Sequence, residues 1–135
     1  MAKLTDPGVE KLLDPAAYCT ISTLNEDGSI TSSIVWFNVE DGKVAINGAA
    51  GRRWTTNVAE RGTIAFLVAD PENPFDYVEV RGRAEVDGDE PAADEHIDRL
   101  AKRYLGQDEY PFRQPGEVRM RFTIAATTIR HQKQG

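Results

Sequence analysis

The residues best suited to bind an anion lie within positions 45–61, where a predicted strand, a loop of small residues and a predicted helix follow one another. Arg52 and Arg53 stand at the start of that helix. The first backbone N–H groups of a helix have no intrahelical partner, and the helix dipole favours an anion beside them. An arginine guanidinium can also hold a phosphate through two parallel hydrogen bonds. The pattern therefore predicts a phosphate site at this helix start.

The loop before the helix, residues 48–51, contains only glycine and alanine, so a phosphate could approach its backbone closely. On the helix, Arg53 and Asn57 are four residues apart and are neighbours on one face. Trp54 and Val58 share the face expected to pack inward. The same spacing also fits an ordinary surface helix whose arginines are only solvated. Spacing alone leaves both interpretations open.

Other chemistries lack the residues that they need. His96 and His131 have no Cys or second His at ligand spacing, so no metal site is expected, and His96 is predicted on a charged helix face. The chain has no nucleophile elbow, P-loop or Gly-x-Gly-x-x-Gly motif. Cys19, the single cysteine, lies in a strand-like run and is predicted to be a buried, inert thiol. No catalytic side chain is identified, so a bound cofactor would carry any reaction.

Composition limits the class of protein. The 135 residues predict one domain over positions 1–135, with 40% apolar and 28% charged residues as in soluble globular proteins. A net charge of −6 argues against general binding to nucleic acid or to an anionic membrane, but it permits a small anion at the two arginines. The sequence has no apolar signal segment, and its longest apolar run, residues 64–69, is too short to span a bilayer. We therefore expect a cytoplasmic protein.

Hydrophobic periodicity predicts a mainly β protein with a few helices. Strands are predicted over residues 18–24, 30–40, 43–47, 63–69, 77–86 and 117–124. Helices are predicted after Asp6-Pro7, from Arg52, and over residues 91–105 with Gly106 at the C-terminal cap. Gly82 on the apolar face of its strand indicates a bulge or a close backbone contact. About six strands joined mostly by hairpins form a small antiparallel barrel.

The strand over residues 30–40 is apolar on both faces at its centre, Ile34-Val35-Trp36-Phe37. One face can fill the barrel. The other face, assigned to Val35 and Phe37, must be covered by a helix, a ligand or a second subunit.

Several segments in a fixed order resemble one known family. They are Ser32-Ser33-Ile34-Val35-Trp36-Phe37, Arg52-Arg53 with Asn57-Val58, Asn73-Pro74-Phe75 with residues 77–84, residues 96–106, Tyr110-Pro111, and residues 115–119. The set covers nearly the whole chain. It is similar to the split β-barrel superfamily of flavin and deazaflavin oxidoreductases, which includes pyridoxamine 5′-phosphate oxidase. It is most similar to the actinobacterial branch that uses the deazaflavin coenzyme F420.

The resemblance implies an FMN-binding type of split barrel that forms a homodimer, with two cofactor sites at the subunit interface. The tricyclic ring would lie against the strand of Ser32, Ser33, Val35 and Trp36 and the strand end at Asn47 and Gly48. Arg52 and Arg53 would hold the phosphate and acidic tail, with Asn57 beside them. Tyr77 would line the pocket. Relatives often carry a lysine at the position of Trp54.

The leading hypothesis is an oxidoreductase that transfers a hydride between F420 and an unsaturated or conjugated small molecule. One alternative is an FMN-dependent oxidase or reductase on the same barrel. Another is a non-catalytic protein that binds or carries the cofactor. Fold alone does not choose among these, and the sequence does not identify a substrate.

Overall fold

The computed structural model describes residues 1–134. Within them, three helices and seven strands follow in the order α1 (Pro7–Leu13), β1 (Cys19–Leu24), β2 (Ile30–Val35), β3 (Phe37–Glu40), β4 (Lys43–Ala49), α2 (Arg53–Arg61), β5 (Thr63–Ala69), β6 (Asp76–Val86), α3 (Glu90–Leu105) and β7 (Arg119–Lys133). All neighbouring strands are antiparallel, in the order β2-β1-β5-β6-β7-β4-β3. The mainly β, antiparallel architecture is confirmed.

The sheet is curled by a single residue that joins its two edges. β2 and β3 are the outermost strands, yet only Trp36 separates them in sequence. Val35 and Phe37 are therefore no more than about 7 Å apart along an extended chain. The two edges must meet at Trp36, which gives the split barrel that the sequence predicted. The continuous strand predicted over residues 30–40 is divided here, so the sheet has seven strands instead of six.

This division also corrects the outward face assigned to the strand. Phe37 is completely buried in the barrel, so it does not form an exposed apolar face with Val35. The alternation of faces restarts after Trp36, because the chain leaves one edge of the sheet and enters the other. The large apolar side chains exposed on β2 are Ile30 and Ile34, each with 70% of its surface exposed.

The barrel interior contains aromatic and branched side chains from both halves of the sheet. The largest completely buried members include Phe37, Phe66, Phe122, Ile21 and Ile46. Trp54 and Val58 pack against this core from α2, as predicted. Each buried side chain of this size contributes roughly 1.5–3 kcal/mol relative to its exposed state.

The predicted irregularity at Gly82 is confirmed as a bulge with a close backbone contact. Between β6 and β7 the pairing steps from Arg81 with Thr128 to Gly82 with Ala126, which leaves Thr127 as the extra residue. A Cβ atom on Gly82 would lie 2.0 Å from the carbonyl oxygen of Ala125. Only glycine fits at this position.

The three helices lie at or near their predicted positions. α1 begins at Pro7, and α3 is capped by the Asp89 carboxylate, which accepts a hydrogen bond of 3.0 Å from the backbone N–H of Ala92. α3 ends at Gly106, whose φ of 72° is left-handed. Its buried side chains pack against β7 and β4, so this helix covers one side of the barrel. None of the described helices combines the length and apolar character that crossing a membrane requires.

Candidate functional site

A cleft of about 270 Å³ opens where the two edges of the sheet meet beside the start of α2. The end of β2, the end of β4, the first turn of α2 and the loop after α3 all contribute to its walls. Its lining residues are Tyr18, Ser33, Ile34, Val35, Trp36, Asn47, Gly48, Arg52, Trp54, Ile97, Tyr110, Phe112 and Arg119.

Six of the ten predicted cofactor-binding residues line this cleft. They are Ser33, Val35, Trp36, Asn47, Gly48 and Arg52. β2 and β4 are far apart in the order of the strands, but the curled sheet brings both to the junction at Trp36. The fold therefore places these six residues together. The predicted phosphate site at Arg52 and the strand predicted to be apolar on both faces thus border one cleft.

The other four predicted residues lie outside the cleft. Ser32 is exposed on β2, with its hydroxyl 3.2 Å from that of Ser22. Arg53 is exposed on α2, and Tyr77 lies on β6 with the guanidinium carbon of Arg130 5.5 Å from its ring centroid. Their part in cofactor binding stays a prediction.

Asn57, the fourth of these residues, connects α2 to β1. Its amide nitrogen donates hydrogen bonds to Thr23 Oγ1 at 3.1 Å and to Asn25 Oδ1 at 2.7 Å, and its oxygen accepts one from Arg61 at 2.8 Å. The side chain is buried, and these contacts use both of its N–H groups. Its visible role is to hold the helix in place, and a direct role toward a ligand stays a prediction.

The start of α2 presents backbone donors to the cleft. Arg52 is the N-cap residue in an extended conformation, and no side chain among the described residues caps the first turn. Arg52 is exposed and is one of the residues that line the cleft. A helix start with uncapped N–H groups and an adjacent guanidinium can hold an anion.

Gly48 and Trp54 are explained by packing. A Cβ atom on Gly48 would lie 2.2 Å from Cζ2 of the Trp54 indole, so this glycine admits the ring. Trp54 is only 5% exposed and belongs to the core, with its ring centroid 5.7 Å from that of Phe122. The position at which relatives often carry a lysine therefore holds a core residue here.

An aromatic cluster lies at the sheet junction, where Trp36 and Tyr110 line the cleft. The ring of Trp36 stacks on Tyr104 with centroids 5.0 Å apart, and the ring of Tyr110 meets Trp36 at 90°. The Tyr104 hydroxyl donates to the carbonyl of Ala17 at 2.6 Å and accepts from the N–H of Phe37 at 3.2 Å. These contacts fix the orientation of Trp36 toward the cleft.

A buried polar network lies behind the cleft. The Oδ1 atom of Asn47 accepts a hydrogen bond of 2.9 Å from Nε of Arg119. Its Nδ2 atom donates to the carbonyl of Ala93 at 2.9 Å and to Nδ1 of His96 at 3.2 Å. Every N–H group of the Asn47 side chain is therefore used within the protein.

His96 is completely buried, so its predicted place on a helix face among charged residues is wrong. It shares the apolar stripe of α3 with Ala93, Ile97 and Leu100, and this helical spacing could have indicated its burial. Nε2 lies 2.9 Å from Oδ1 of Asn38, so Nε2 carries the proton and Nδ1 accepts from Asn47. Burial lowers the pKa of His96 to about 4, against the attraction of nearby Glu40.

Glu40 ends the network on the far side of His96. Burial disfavours its charge, but hydrogen bonds from Arg99, Asn38 and Arg121 outweigh that effect and lower its pKa to about 2. Arg99 grips it with two nitrogens, at 2.7 and 2.9 Å, and Arg121 donates at 2.9 Å. Glu40 is therefore a carboxylate at neutral pH, and it fixes β3 against α3 and β7.

Sequence reasoning missed Tyr18, Tyr110, Phe112 and Arg119 as cleft residues. Arg119 stands on the polar face of the predicted final strand, which gave no reason to place it inside. Tyr110 and Phe112 lie in a loop without periodicity, although Tyr110 belongs to a segment that carried the family resemblance. Only the folded chain brings these side chains beside β2 and β4.

Several solved structures have a similar shape. One described as F420 reductase is 25% identical, with a TM-score of 0.76 and coverage of 90% of this chain and 94% of that chain. A conserved hypothetical protein from Mycobacterium tuberculosis is 19% identical, with a TM-score of 0.74 and coverage of 95% and 84%. An FAD binding protein from Mycobacterium smegmatis is 18% identical, with a TM-score of 0.61 and coverage of 93% of each chain. The last two show a shared fold alone.

No curated protein matches the sequence significantly. The sequence profile of the family described as pyridoxamine 5′-phosphate oxidase, in contrast, matches residues 5–133. This match spans all seven strands and all three helices of the described chain. The chain belongs to the pyridoxamine 5′-phosphate oxidase family, as the ordered segments of its sequence indicated.

Proposed function

We propose that this chain binds a phosphate-bearing deazaflavin or flavin in the cleft, with F420 as the cofactor and FMN as the alternative. We further propose that it transfers a hydride between F420 and an unsaturated or conjugated small molecule. One observation carries the proposal. The uncapped start of α2 at Arg52 and the strand end from Ser33 to Trp36 border the same cleft.

The residues of the cleft fit the two ends of such a cofactor. Arg52 and the first N–H groups of α2 would hold the phosphate by charge-assisted hydrogen bonds. β2 is an edge strand, so backbone groups on its free side are available to the polar edge of a ring system. Trp36 offers an aromatic surface at the junction of the sheet. The cofactor, when bound, would supply the hydride chemistry.

The size of the cleft supports a site that two subunits share. Its volume of about 270 Å³ is below the roughly 300–1,000 Å³ typical of ligand pockets. Tyr18 and Ile34 on its rim are 69% and 70% exposed, and Ile30 on the same strand is 70% exposed. A second copy of the chain packed on β2 would cover these side chains and deepen the cleft. The proposed active form is therefore a homodimer.

The lining of the cleft favours chemistry performed by the cofactor. No histidine or carboxylate is among the described residues that form its walls. The protein would contribute orientation and electrostatics. The same absence of an acid–base group fits a carrier that binds cofactor without turnover, so binding and turnover need separate measurements.

The test is a titration of F420, FMN and FAD into the apo protein, followed by fluorescence or absorbance. We expect F420 to bind more tightly than either flavin, and protein purified from a deazaflavin-producing host to show the deazaflavin spectrum. If FMN binds tenfold more tightly than F420, FMN is the cofactor, as the alternative states. Binding of none of the three would contradict the proposal.

Turnover separates an enzyme from a carrier. Reduced F420 mixed with conjugated enones or quinones should be oxidised faster with the protein than without it. Tight F420 binding with no oxidation by any acceptor would favour the carrier.

A further inference from the structure

One buried cation in the cleft has a donor that the fold leaves unused. The side chain of Arg119 is only 5% exposed, although it lines the cleft. Its Nε donates to Asn47 at 2.9 Å, and its Nη1 donates to Glu117. Among residues 1–134, the side-chain hydrogen bonds of Arg119 are these two, and Nη2 makes none. The guanidinium group thus has one nitrogen available to a ligand.

Arg119 is held from several sides. The Asn47 oxygen fixes Nε, and the Asn47 amide is itself oriented by the carbonyl of Ala93 and by Nδ1 of His96. The guanidinium carbon lies 5.1 Å from the ring centroid of Tyr110, which stacks over it from the loop. Asn47 and His96 therefore act as positioning residues for Arg119.

The burial of Arg119 strengthens its action on a ligand. Arg52 is exposed, so water and salt screen its charge, whereas Arg119 acts from a site largely removed from solvent. Glu117 balances part of the charge, but it occupies Nη1 and leaves Nη2 as a donor. The cleft thus contains two cationic groups with different surroundings.

We propose that Arg119 Nη2 donates a charge-assisted hydrogen bond to a carbonyl oxygen on the ring of the bound cofactor, and that this bond favours the reduced cofactor. The inference rests on the proposed function. Deazaflavins and flavins share a pyrimidinedione ring edge with carbonyl oxygens. Gain of a hydride brings two electrons and one proton, so the ring acquires one negative charge unless a second proton follows. A fixed cation beside a carbonyl of that ring stabilises this charge.

The test compares dissociation constants for the oxidised and reduced forms, using F420 and FMN as probes under anaerobic conditions. With whichever probe the wild type binds, Arg119→Gln should weaken the reduced form at least about tenfold more than the oxidised form. Arg81→Gln is the matched control, because Arg81 also pairs with a glutamate two residues earlier, Glu79, at 3.1 Å. It should leave the ratio of the two constants unchanged.

Glu117→Gln provides a second variant with the opposite expected sign. The amide oxygen can still accept from Arg119, but the balancing negative charge is gone. The reduced form should therefore bind more tightly relative to the oxidised form than in the wild type. This variant decides the question if Arg119→Gln does not fold.

The outcomes separate this inference from the proposed function. Equal weakening of both redox forms in Arg119→Gln, or an unchanged ratio in Glu117→Gln, would overturn the role of Arg119 and leave the cofactor site intact. A wild-type protein that binds neither F420 nor FMN would overturn both proposals.

Discussion

The indole of Trp36 lies parallel to the phenol ring of Tyr104, with 5.0 Å between the centroids and 7° between the planes. Trp36 is the residue at which the chain crosses from one edge of the sheet to the other, and Tyr104 lies in the last turn of α3. The pair therefore closes the barrel, and its Trp36 member lines the candidate site. The stability of the fold and the shape of the cleft depend on the same contact.

Removal of the Tyr104 hydroxyl should destabilise the protein. In Tyr104→Phe the carbonyl of Ala17 and the N–H of Phe37 lose their partner at the junction. We expect a loss of about 1–3 kcal/mol in the free energy of unfolding, measured by urea denaturation. Tyr18→Phe is the control, since that side chain is 69% exposed, and it should change stability by less than about 0.5 kcal/mol. Equal stability of the two variants would mean that the hydrogen bonds of the Tyr104 hydroxyl do not stabilise the junction of the two sheet edges.

Trp54→Lys should unfold or strongly destabilise the protein, although relatives often carry lysine there. The indole is 5% exposed and fills the space above Gly48, so the variant loses core packing and places a charge in an apolar site. We expect a loss of at least about 3 kcal/mol. Thr56→Lys introduces the same charge on an exposed position of α2 and should have little effect. A Trp54→Lys protein as stable as the wild type would show that the indole is not a core residue.

His96 should make stability depend on pH between about 4 and 6.5. Burial lowers its pKa from the ordinary histidine value of 6.5 to about 4 in the folded chain. The unfolded state therefore binds more protons in this window, and stability falls as pH decreases through it. The shift corresponds to a loss of about 3 kcal/mol at the acid end. Protonation of Nδ1 would also place two donors, His96 and Asn47, against each other.

His96→Gln isolates this contribution. An amide can still accept from Asn47 and donate to Asn38, but it does not titrate. Urea denaturation at pH 7 and at pH 4.5 should therefore show a smaller loss on acidification in the variant than in the wild type. Glu40 contributes little between the two pH values compared, because its lowered pKa of about 2 confines its loss of stability to the range from about 4.5 downward. Identical pH profiles of stability in wild type and variant would show that protonation of His96 does not cause the loss of stability.

The chain should form a homodimer at low micromolar concentration. Light scattering should give twice the mass of one 15.0 kDa chain. Ile30→Lys on the exposed face of β2 should shift the protein toward the monomer, because it places a charge within the proposed apolar interface. Val86→Lys, at the end of β6 and 53% exposed, is the control. A wild-type protein that stays monomeric would contradict the shared site.

The strands with clear boundaries or with strictly alternating apolar and polar residues were the easiest to predict from sequence. β5 was predicted with the observed bounds, and β6 within one residue, because a clear boundary or strict alternation reports burial directly. The division at Trp36 was not predictable from local pattern, since both halves of that segment are extended and apolar. It arises from closure of the sheet, which depends on strands far apart in sequence.

The candidate site was only partly predictable for a similar reason. Arg52 and Trp36 carried local signals, a helix start and an apolar strand centre. Arg119 is placed by Asn47, 72 residues earlier in the chain, and His96 contacts Asn47 across 49 residues. Such long-range polar contacts leave no trace in periodicity. The resemblance to the family identified the fold and part of the cleft, but it did not indicate this network.

The affinity of Arg52→Ala for the cofactor tests the proposed phosphate site at the start of α2 most directly. A lost charge-assisted contact is worth roughly 1.5–3 kcal/mol, so the dissociation constant for F420 should rise at least about tenfold. Arg53→Ala, whose residue lies outside the cleft, should have a smaller effect, and Lys43→Ala at the start of β4 should have none. Wild-type affinity should also fall as salt is raised. If folded Arg52→Ala keeps the wild-type affinity, and if wild-type affinity does not depend on salt, then this arginine is only solvated and the cofactor does not bind at the start of α2.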